Sequence, residues 1–326
     1  MHRARRHSAL RPARFALVLL GLAAGLSACT TNKATGRSQF NSLSREDEIA
    51  LGNEAGPQLT QEYGGAVTDP RINSYVSRVG MSLAKQTEAD YSTLPWTFTL
   101  LNSPVINAFA LPGGKVFLSR GLAEKFENEA QLAGVLGHEV GHVTAEHADR
   151  AVTRQVLLGV GAVTAGVLAG DDTAMQVAAG VLVTSAGVFA LTYSREQENE
   201  SDKLGMRYMV AAGYHPKGML QVMQVLAEAS KGGGAPPEFL STHPAPATRV
   251  GIIQKRLDTE YATLIKEKGD TLIVGEERFR KEFLEPISKI PMPVQKPAQG
   301  AIDLDQPWTW CAHCAAKRSA GIGAGL

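Results

Sequence analysis

The sequence lacks an excess of charge of either sign. Its 33 lysine and arginine residues almost balance its 32 aspartate and glutamate residues, so the formal net charge is +1. A domain that binds nucleic acid is usually strongly basic on one face. The chain also has no basic patch interleaved with aromatic residues, so we expect no nucleic-acid partner.

Cysteine is also scarce, with three residues in a chain of 326. Cys29 follows a short apolar run, whereas Cys311 and Cys314 form a lone pair near the C-terminus. Such a pair fits a local disulfide, half of a metal site or a redox pair. No second pair of cysteines completes a zinc site, so we favour a disulfide or no function.

The first 28 residues have the layout of a secretory signal peptide. Five arginines within the first 14 residues precede an apolar run at 15–26, and small residues lead into Cys29. This layout resembles the bacterial lipobox, in which cleavage leaves a lipid-modified cysteine. Thr30 stands where retention in the inner membrane would usually show Asp, which favours the periplasmic face of the outer membrane. An uncleaved membrane anchor is the alternative, although the apolar run is short for a span.

Local patterns predict an α+β fold that is predominantly helical, with a small β-sheet. Ser44 and Asp47 form a capping box before the first helical pattern, and Asn128 with Gln131 marks the start of another. The helical patterns cover 45–83, a run from Asn128, 196–212 and a run after Pro216, and the strand patterns cover 96–101, 105–110 and 115–119. The turn signal Leu-Pro-Gly-Gly at 111–114 predicts that the last two strands form a hairpin.

The segment at 156–191 is apolar and rich in alanine, glycine and valine. It could form two transmembrane helices or a helical hairpin that packs on the rest of the domain. The first arm is short for a membrane span, and the second carries Gln176, Thr184 and Ser185. We therefore favour the helical hairpin.

The sequence His138-Glu139-Val140-Gly141-His142 predicts a catalytic metal site. Histidines four residues apart lie on one face of a helix, so both imidazoles can reach one ion. Glu139 is close enough to take a proton from a water bound to that ion. Catalytic zinc is bound by ligands such as imidazole nitrogens and keeps one coordination position open, so we expect one Zn²⁺.

Zinc requires a third protein ligand, for which the sequence offers two candidates. His147 is nearest, but on a continuous helix it would point away from the face of His138, which favours a packing or outer role. Glu198 and Asp202 are four residues apart on a later predicted helix. One of them can bind the metal while the other orients a ligand imidazole.

These motifs together resemble the gluzincin peptidases of metallopeptidase family forty-eight. The resemblance rests on His-Glu-x-x-His, Ser-Arg-x-x-Glu-x-Glu-x-Asp at 194–202, Asn-Ala-Phe-Ala-Leu-Pro-Gly-Gly at 107–114, and Ser-Thr-His-Pro at 241–244 with Arg249, and it covers about residues 45–265. It implies a zincin-type domain with an active-site helix. Zinc would be held by His138, His142 and Glu198.

The resemblance also suggests roles for the surrounding residues. Glu139 becomes the general base, and Asp202 and Arg249 lie behind the ligands. His243 either assists the reaction or occupies the open metal position in a resting form. Ser201 departs from the family, which usually has alanine there, and it is small enough to leave the site intact.

The strand that begins at Asn107, Ala108 and Phe109 is a candidate for substrate binding. A strand at the lip of the site can pair with an extended peptide whatever its sequence. An ordinary hairpin that supports the fold is the alternative.

The predicted organisation is a signal peptide at 1–28, a tether at 29–44, a zinc metallopeptidase domain at 45–268 and a small C-terminal extension with a flexible tail at 269–326. We expect a lipid-anchored endopeptidase whose substrates are unfolded or misassembled envelope proteins. A latched, chaperone-like assembly factor and a membrane-embedded protease are the rival hypotheses.

Overall fold

The computed structural model describes residues 29–154, 192–231, 237–244 and 246–293. The predicted signal peptide, the apolar segment at 156–191 and the Cys311–Cys314 pair lie outside these residues. In the ranges that are described, no helix is both long and apolar enough to cross a membrane.

Polar caps begin the helices that matter most for the site. Ser44 and Asp47 form the predicted capping box at the start of the helix Arg45–Glu62, and Ser194 and Gln197 form another before Arg195–Ala211. Asn128 caps the helix Glu129–Thr144 by accepting from the Gln131 N–H. The long helices are α1 (Arg45–Glu62), α2 (Pro70–Ala84), α3 (Glu129–Thr144), α4 (Arg195–Ala211), α5 (Lys217–Ala229) and α6 (Pro246–Asp258).

Shorter helical segments connect these elements. They are Ala89–Ser92, Arg120–Ala123, a run at 147–154, Phe239–Thr242, Ala262–Lys268, the 3₁₀ turn Gly269–Thr271, Glu276–Phe279, the π-helical turn Arg280–Leu284 and Glu285–Ile287. The helix-rich fold with small sheets confirms the predicted α+β class.

The strands form two small sheets. β1 (Cys29–Thr31) and β2 (Ser38–Phe40) pair antiparallel. In the second sheet, β3 (Thr97–Leu101) pairs parallel with β5 (Lys115–Ser119), and β4 (Ala108–Leu111) pairs antiparallel with β5. The order is β3-β5-β4, so β4 is an edge strand within the described residues. The hairpin of β4 and β5 confirms the turn predicted at 111–114.

Helix α3 runs through the centre of the fold, and every residue from Glu129 to Thr144 is buried. Glycines allow α4 to approach it closely. A Cβ atom added to Gly141 would lie 2.7 Å from the carbonyl oxygen of Ser201, and one added to Gly137 would lie 3.2 Å from that of Gly205. This close packing brings acidic residues of α4 beside the histidines of α3.

The ends of the described chain also pack on this core. At the N-terminal end, Asn32 donates to the Thr144 carbonyl, and Gln39 and Asn41 donate to Glu146. At the C-terminal end, Phe279 and Phe283 are fully buried in the main apolar cluster. The domain boundaries predicted from the sequence stay predictions.

Candidate metal centre

Two histidines of α3 face a carboxylate of α4. The Nε2 atoms of His138 and His142 are 3.0 Å apart, because the two residues are separated by one helical turn. Glu198 lies opposite, with its Oε1 atom 3.3 Å from His142 Nε2 and its Oε2 atom 3.5 Å from His138 Nε2. All three side chains are buried, so their polar atoms converge on one point away from solvent.

Asp202 and Arg249 support this group from behind. The Nδ1–H of His138 donates to Asp202 Oδ1 over 2.9 Å, which leaves the Nε2 lone pair directed at the point of convergence. Arg249 donates from Nε to Asp202 Oδ2 over 2.8 Å and from Nη1 to Glu198 Oε2 over 2.5 Å. One buried guanidinium therefore holds both carboxylates in place.

The charges around the site favour a cation at its centre. Burial alone would raise the pKa of Glu198, but His243 and Arg249 outweigh it and hold that pKa well below its usual range. Burial lowers the pKa of His138, yet hydrogen bonds to Asp202 and Glu198 more than compensate and raise it to about 9. A positive charge is thus stabilised beside these carboxylates. In the metal-free protein it is the second proton of His138, and a bound cation would displace that proton from Nε2.

Glu139 lies next to the converging atoms without a partner of its own. It is fully buried, and among the described residues neither of its carboxylate oxygens has a hydrogen-bond partner. Burial raises the pKa of Glu139 above its ordinary value. An unpaired buried carboxylate is costly, so its presence here indicates a group that exchanges protons or binds a ligand.

His243 completes the group from a different part of the chain. It follows the short helix Phe239–Thr242, and its ring stacks on Phe239 with centroids 4.2 Å apart. Its Nδ1 atom is 3.0 Å from Glu198 Oε1, and its Nε2 atom is 3.8 Å from Glu139 Oε1. His243 is therefore close to both the converging atoms and the free carboxylate.

The residues present fit a zinc ion. His138, His142, Glu198 and His243 each offer a ligand atom, and these atoms lie within 4.8 Å of one another. A tetrahedral zinc site with bonds of about 2.0–2.1 Å separates its ligand atoms by roughly 3.3–3.4 Å, close to the separations found here. Nitrogen and carboxylate donors also match zinc chemistry.

The predicted substrate strand lies beside this centre. Ala110 and Leu111 of β4 line a cleft together with His142 and Tyr193. Asn107, just before β4, is buried, and its side-chain amide donates to the Tyr63 hydroxyl and to Glu238. Asn107 thus fixes the start of the strand.

Ala108 and Phe109 are both buried, on opposite faces of β4. Ala108 belongs to the main apolar cluster, and the Phe109 ring stacks on Phe117 in a second cluster. What β4 can offer a ligand is therefore the backbone of its open edge.

Tyr193 and Glu200 also lie near the centre, although neither was predicted as a site residue. The Tyr193 ring covers His142 with centroids 4.0 Å apart. The backbone N–H of Tyr193 donates to the Thr242 carbonyl. Glu200 accepts from His147, which itself contacts His142. Glu200 lies within the acidic motif at 194–202, and this position was the sequence signal for it.

Known proteins are similar in sequence to this chain over most of the described domain. The profile of peptidase family M48 matches residues 70–257. The beta-barrel assembly-enhancing protease of Escherichia coli K12 is 32% identical over 242 residues, which cover 72% of this chain and 49% of that protein. The mitochondrial metalloendopeptidase OMA1 of Saccharomyces cerevisiae is 27% identical over 254 residues, covering 73% of this chain and 71% of that protein.

The OMA1 protein of Arabidopsis thaliana is 30% identical over 203 residues, covering 62% of this chain and 40% of that protein. The chain spans about half the length of the bacterial relatives that it matches. The family match covers both histidines of α3, Glu198 and Asp202 of α4, and His243. The chain therefore belongs to peptidase family M48, and the enzyme class that this membership supports is zinc metalloendopeptidase.

Proposed function

We propose that the protein is a zincin-type endopeptidase in which His138, His142 and Glu198 hold one zinc ion. The observation that carries this proposal is the convergence of three ligand side chains beside the unpaired carboxylate of Glu139. Bound zinc would supply Lewis acidity, which polarises the scissile carbonyl and activates water.

Within this scheme the chain's own residues move the proton. Glu139 accepts a proton from the attacking water at a carboxylate oxygen and passes it to the leaving amine. Its burial suits this role, because a raised pKa brings the carboxylate closer to the pH at which it must both take and release a proton. Asp202 and Arg249 keep His138 and Glu198 oriented while this happens.

The edge of β4 is the proposed substrate-binding surface. An extended peptide that pairs with this edge would run along the cleft beside His142. Main-chain hydrogen bonds do not depend on side chains, so this mode suits unfolded or misassembled proteins. The name of the Escherichia coli relative, beta-barrel assembly-enhancing protease, supports an extension of this role to the cell envelope.

We further propose lipid attachment at Cys29 and residence on the periplasmic face of the outer membrane. The sequence pattern before Cys29 supports this placement.

A latched assembly factor is the second candidate function. His243 Nδ1 lies 3.0 Å from Glu198 and 3.4 Å from His138 Nε2, which is close enough for His243 to serve as a fourth ligand. A fourth protein ligand would close the position that catalysis needs. This arrangement would limit hydrolysis in the resting protein.

Hydrolysis of casein by the purified protein, with zinc quantified, tests these proposals. We expect Glu139→Gln to keep zinc and lose at least about a hundredfold in rate, as removal of a proton-transfer group does. We expect Glu198→Ala to lose zinc. Zinc without hydrolysis in the wild type, together with hydrolysis by His243→Ala, would favour the latched form. Absence of zinc from the wild type would refute the metal site.

A further inference from the structure

A second layer of polar residues lies behind His142, on the side away from the proposed zinc ion. We propose that His147 and Glu200 are positioning residues that hold the His142 imidazole in the tautomer that binds metal. This inference rests on the proposed zinc site, and it assigns a role to two residues that the catalytic scheme does not use.

A turn of the backbone places His147 there. Helix α3 ends at Thr144, and Glu146 adopts a left-handed conformation with φ of 54°. Few residues other than glycine adopt this conformation, and it persists only where the surroundings hold it. Tyr91, Gln39 and Asn41 all donate to the Glu146 carboxylate. On an uninterrupted helix, five residues would instead separate His147 from His142 by roughly 140°.

The turn brings two ring nitrogens into contact. His147 Nδ1 lies 2.9 Å from His142 Nδ1, and the ring planes are inclined at 73°. On its other side, His147 Nε2 lies 3.1 Å from Glu200 Oε2. His147 is fully buried, and both of its ring nitrogens have protein partners.

The proton positions follow from these contacts. Glu200 is a carboxylate and accepts only, so His147 carries its proton on Nε2 and has a lone pair on Nδ1. That lone pair accepts from His142, whose proton must then sit on Nδ1. His142 Nε2 is left with its lone pair, and this atom is the one that faces Glu198 and His138. The Glu200 carboxylate thereby fixes the tautomer of His147, and His147 fixes that of His142.

Arg37 and Arg150 hold Glu200 from outside. Arg37 Nη2 donates to Glu200 Oε1 over 2.8 Å, and Arg150 Nη1 lies 3.6 Å from Oε2. The Arg37 side chain is 44% exposed, so we expect its contribution to be small. The effect on metal binding should therefore decrease from His147 to Glu200 to Arg37.

Zinc affinity of the full chain, measured by competition with a chelator, tests the two ends of this order. We expect His147→Leu to weaken zinc binding by about 10- to 100-fold, as loss of a group that orients a ligand does. His147→Gln should recover most of this loss, because its amide offers one acceptor to His142 and one donor to Glu200. Arg37→Ala should change the affinity by less than about threefold.

Tyr214→Phe is the matched control. It removes a buried hydrogen bond of 2.9 Å to Glu129, at the opposite end of α3, so it costs stability without touching the ligands. We expect its zinc affinity to equal that of the wild type. Equal losses in Tyr214→Phe and His147→Leu would overturn the inference, as would a His147→Gln variant that binds zinc no better than His147→Leu.

Nitrogen NMR of the zinc-bound protein provides a readout that a packing role would not affect. We expect a protonated Nδ1 in His142 and an unprotonated Nδ1 in His147, and the reverse assignment would overturn the inference. A wild-type chain that binds no zinc would overturn the proposed function and this inference together. Normal zinc binding by all the variants would overturn this inference alone.

Discussion

Arg249 binds the carboxylates of Glu198 and Asp202 at the same time, within a fully buried site. Burial of two negative charges is strongly destabilising unless positive charge is buried with them. In the absence of metal, the guanidinium supplies that charge together with the neighbouring histidine rings. Arg249 is therefore expected to decide whether the site keeps its shape before zinc enters.

Replacement of Arg249 by leucine should lower the free energy of unfolding of the metal-free protein by about 3–5 kcal/mol. The loss arises because two buried carboxylates remain without their partner. Urea denaturation in the presence of a chelator measures it. Arg280→Leu is the control, since Arg280 pairs with Glu285 on the surface, and a loss of at most about 1 kcal/mol is expected there. Similar small losses in both variants would contradict this account of Arg249.

At the scale of elements, the approach of α4 to α3 determines how far Glu198 lies from the two histidines. Gly141 stands at this contact, facing the backbone of Ser201. The Ser201 hydroxyl donates to the His138 carbonyl over 2.5 Å, which adds a hydrogen bond between the helices. The serine found where the family usually has alanine is thus accommodated in the contact.

Gly141→Ala should separate the two helices, because its Cβ would lie 2.7 Å from the Ser201 carbonyl oxygen. We expect the free energy of unfolding to fall by about 1–3 kcal/mol and zinc affinity to fall with it. Gly251→Ala is the control, since Gly251 is exposed on α6 with no atom within 4 Å of an added Cβ. That variant should gain about 0.5–1 kcal/mol. Unchanged zinc affinity in Gly141→Ala would show that the helix spacing does not control the site.

Much of the fold could be predicted because its signals are local. Ser44 with Asp47, and Asn128 before α3, mark helix starts through side chains that bond neighbouring backbone groups. The spacing of His138 and His142 placed them on one helical face for the same reason. These relations involve residues at most four positions apart.

The turn after α3 could not be predicted in this way. Ala145 and Glu146 carry no turn signal, so the pattern suggested a helix that continues to His147. The left-handed conformation of Glu146 depends instead on Tyr91, Gln39 and Asn41, which are distant in the sequence. Long-range contacts of this kind produce no periodic pattern in the sequence. The contact between His147 and His142 depends on them and could not be predicted either.

At the scale of the whole molecule, the C-terminal segment joins the same core as the metal centre. Phe279 and Phe283 pack on Tyr75, and Arg278 donates to Glu129 near the start of α3. Arg120, also buried, donates to the carbonyls of Ile287 and Ile290. This segment therefore supports the central helix from its N-terminal end.

A chain that stops after residue 268 should lose these contacts and unfold, since each buried phenylalanine is worth about 3–5 kcal/mol. A chain that stops after residue 293 retains them and is the control, which should melt cooperatively. Circular dichroism with thermal denaturation distinguishes the two. Cooperative melting of the shorter chain near the wild-type temperature would place the domain boundary at 268, as the sequence suggested.

The hairpin of β1 and β2 begins at Cys29, and Asn32 is bonded to the carbonyl of Thr144, two residues after His142. The backbone from Cys29 to Asn32 can extend no further than about 10 Å. If Cys29 carries lipid, as we propose, no long flexible linker separates the lipid from the folded domain. The catalytic centre would then stay at a nearly fixed distance from the membrane surface, and only polypeptides that come within that distance of the membrane would be cleaved.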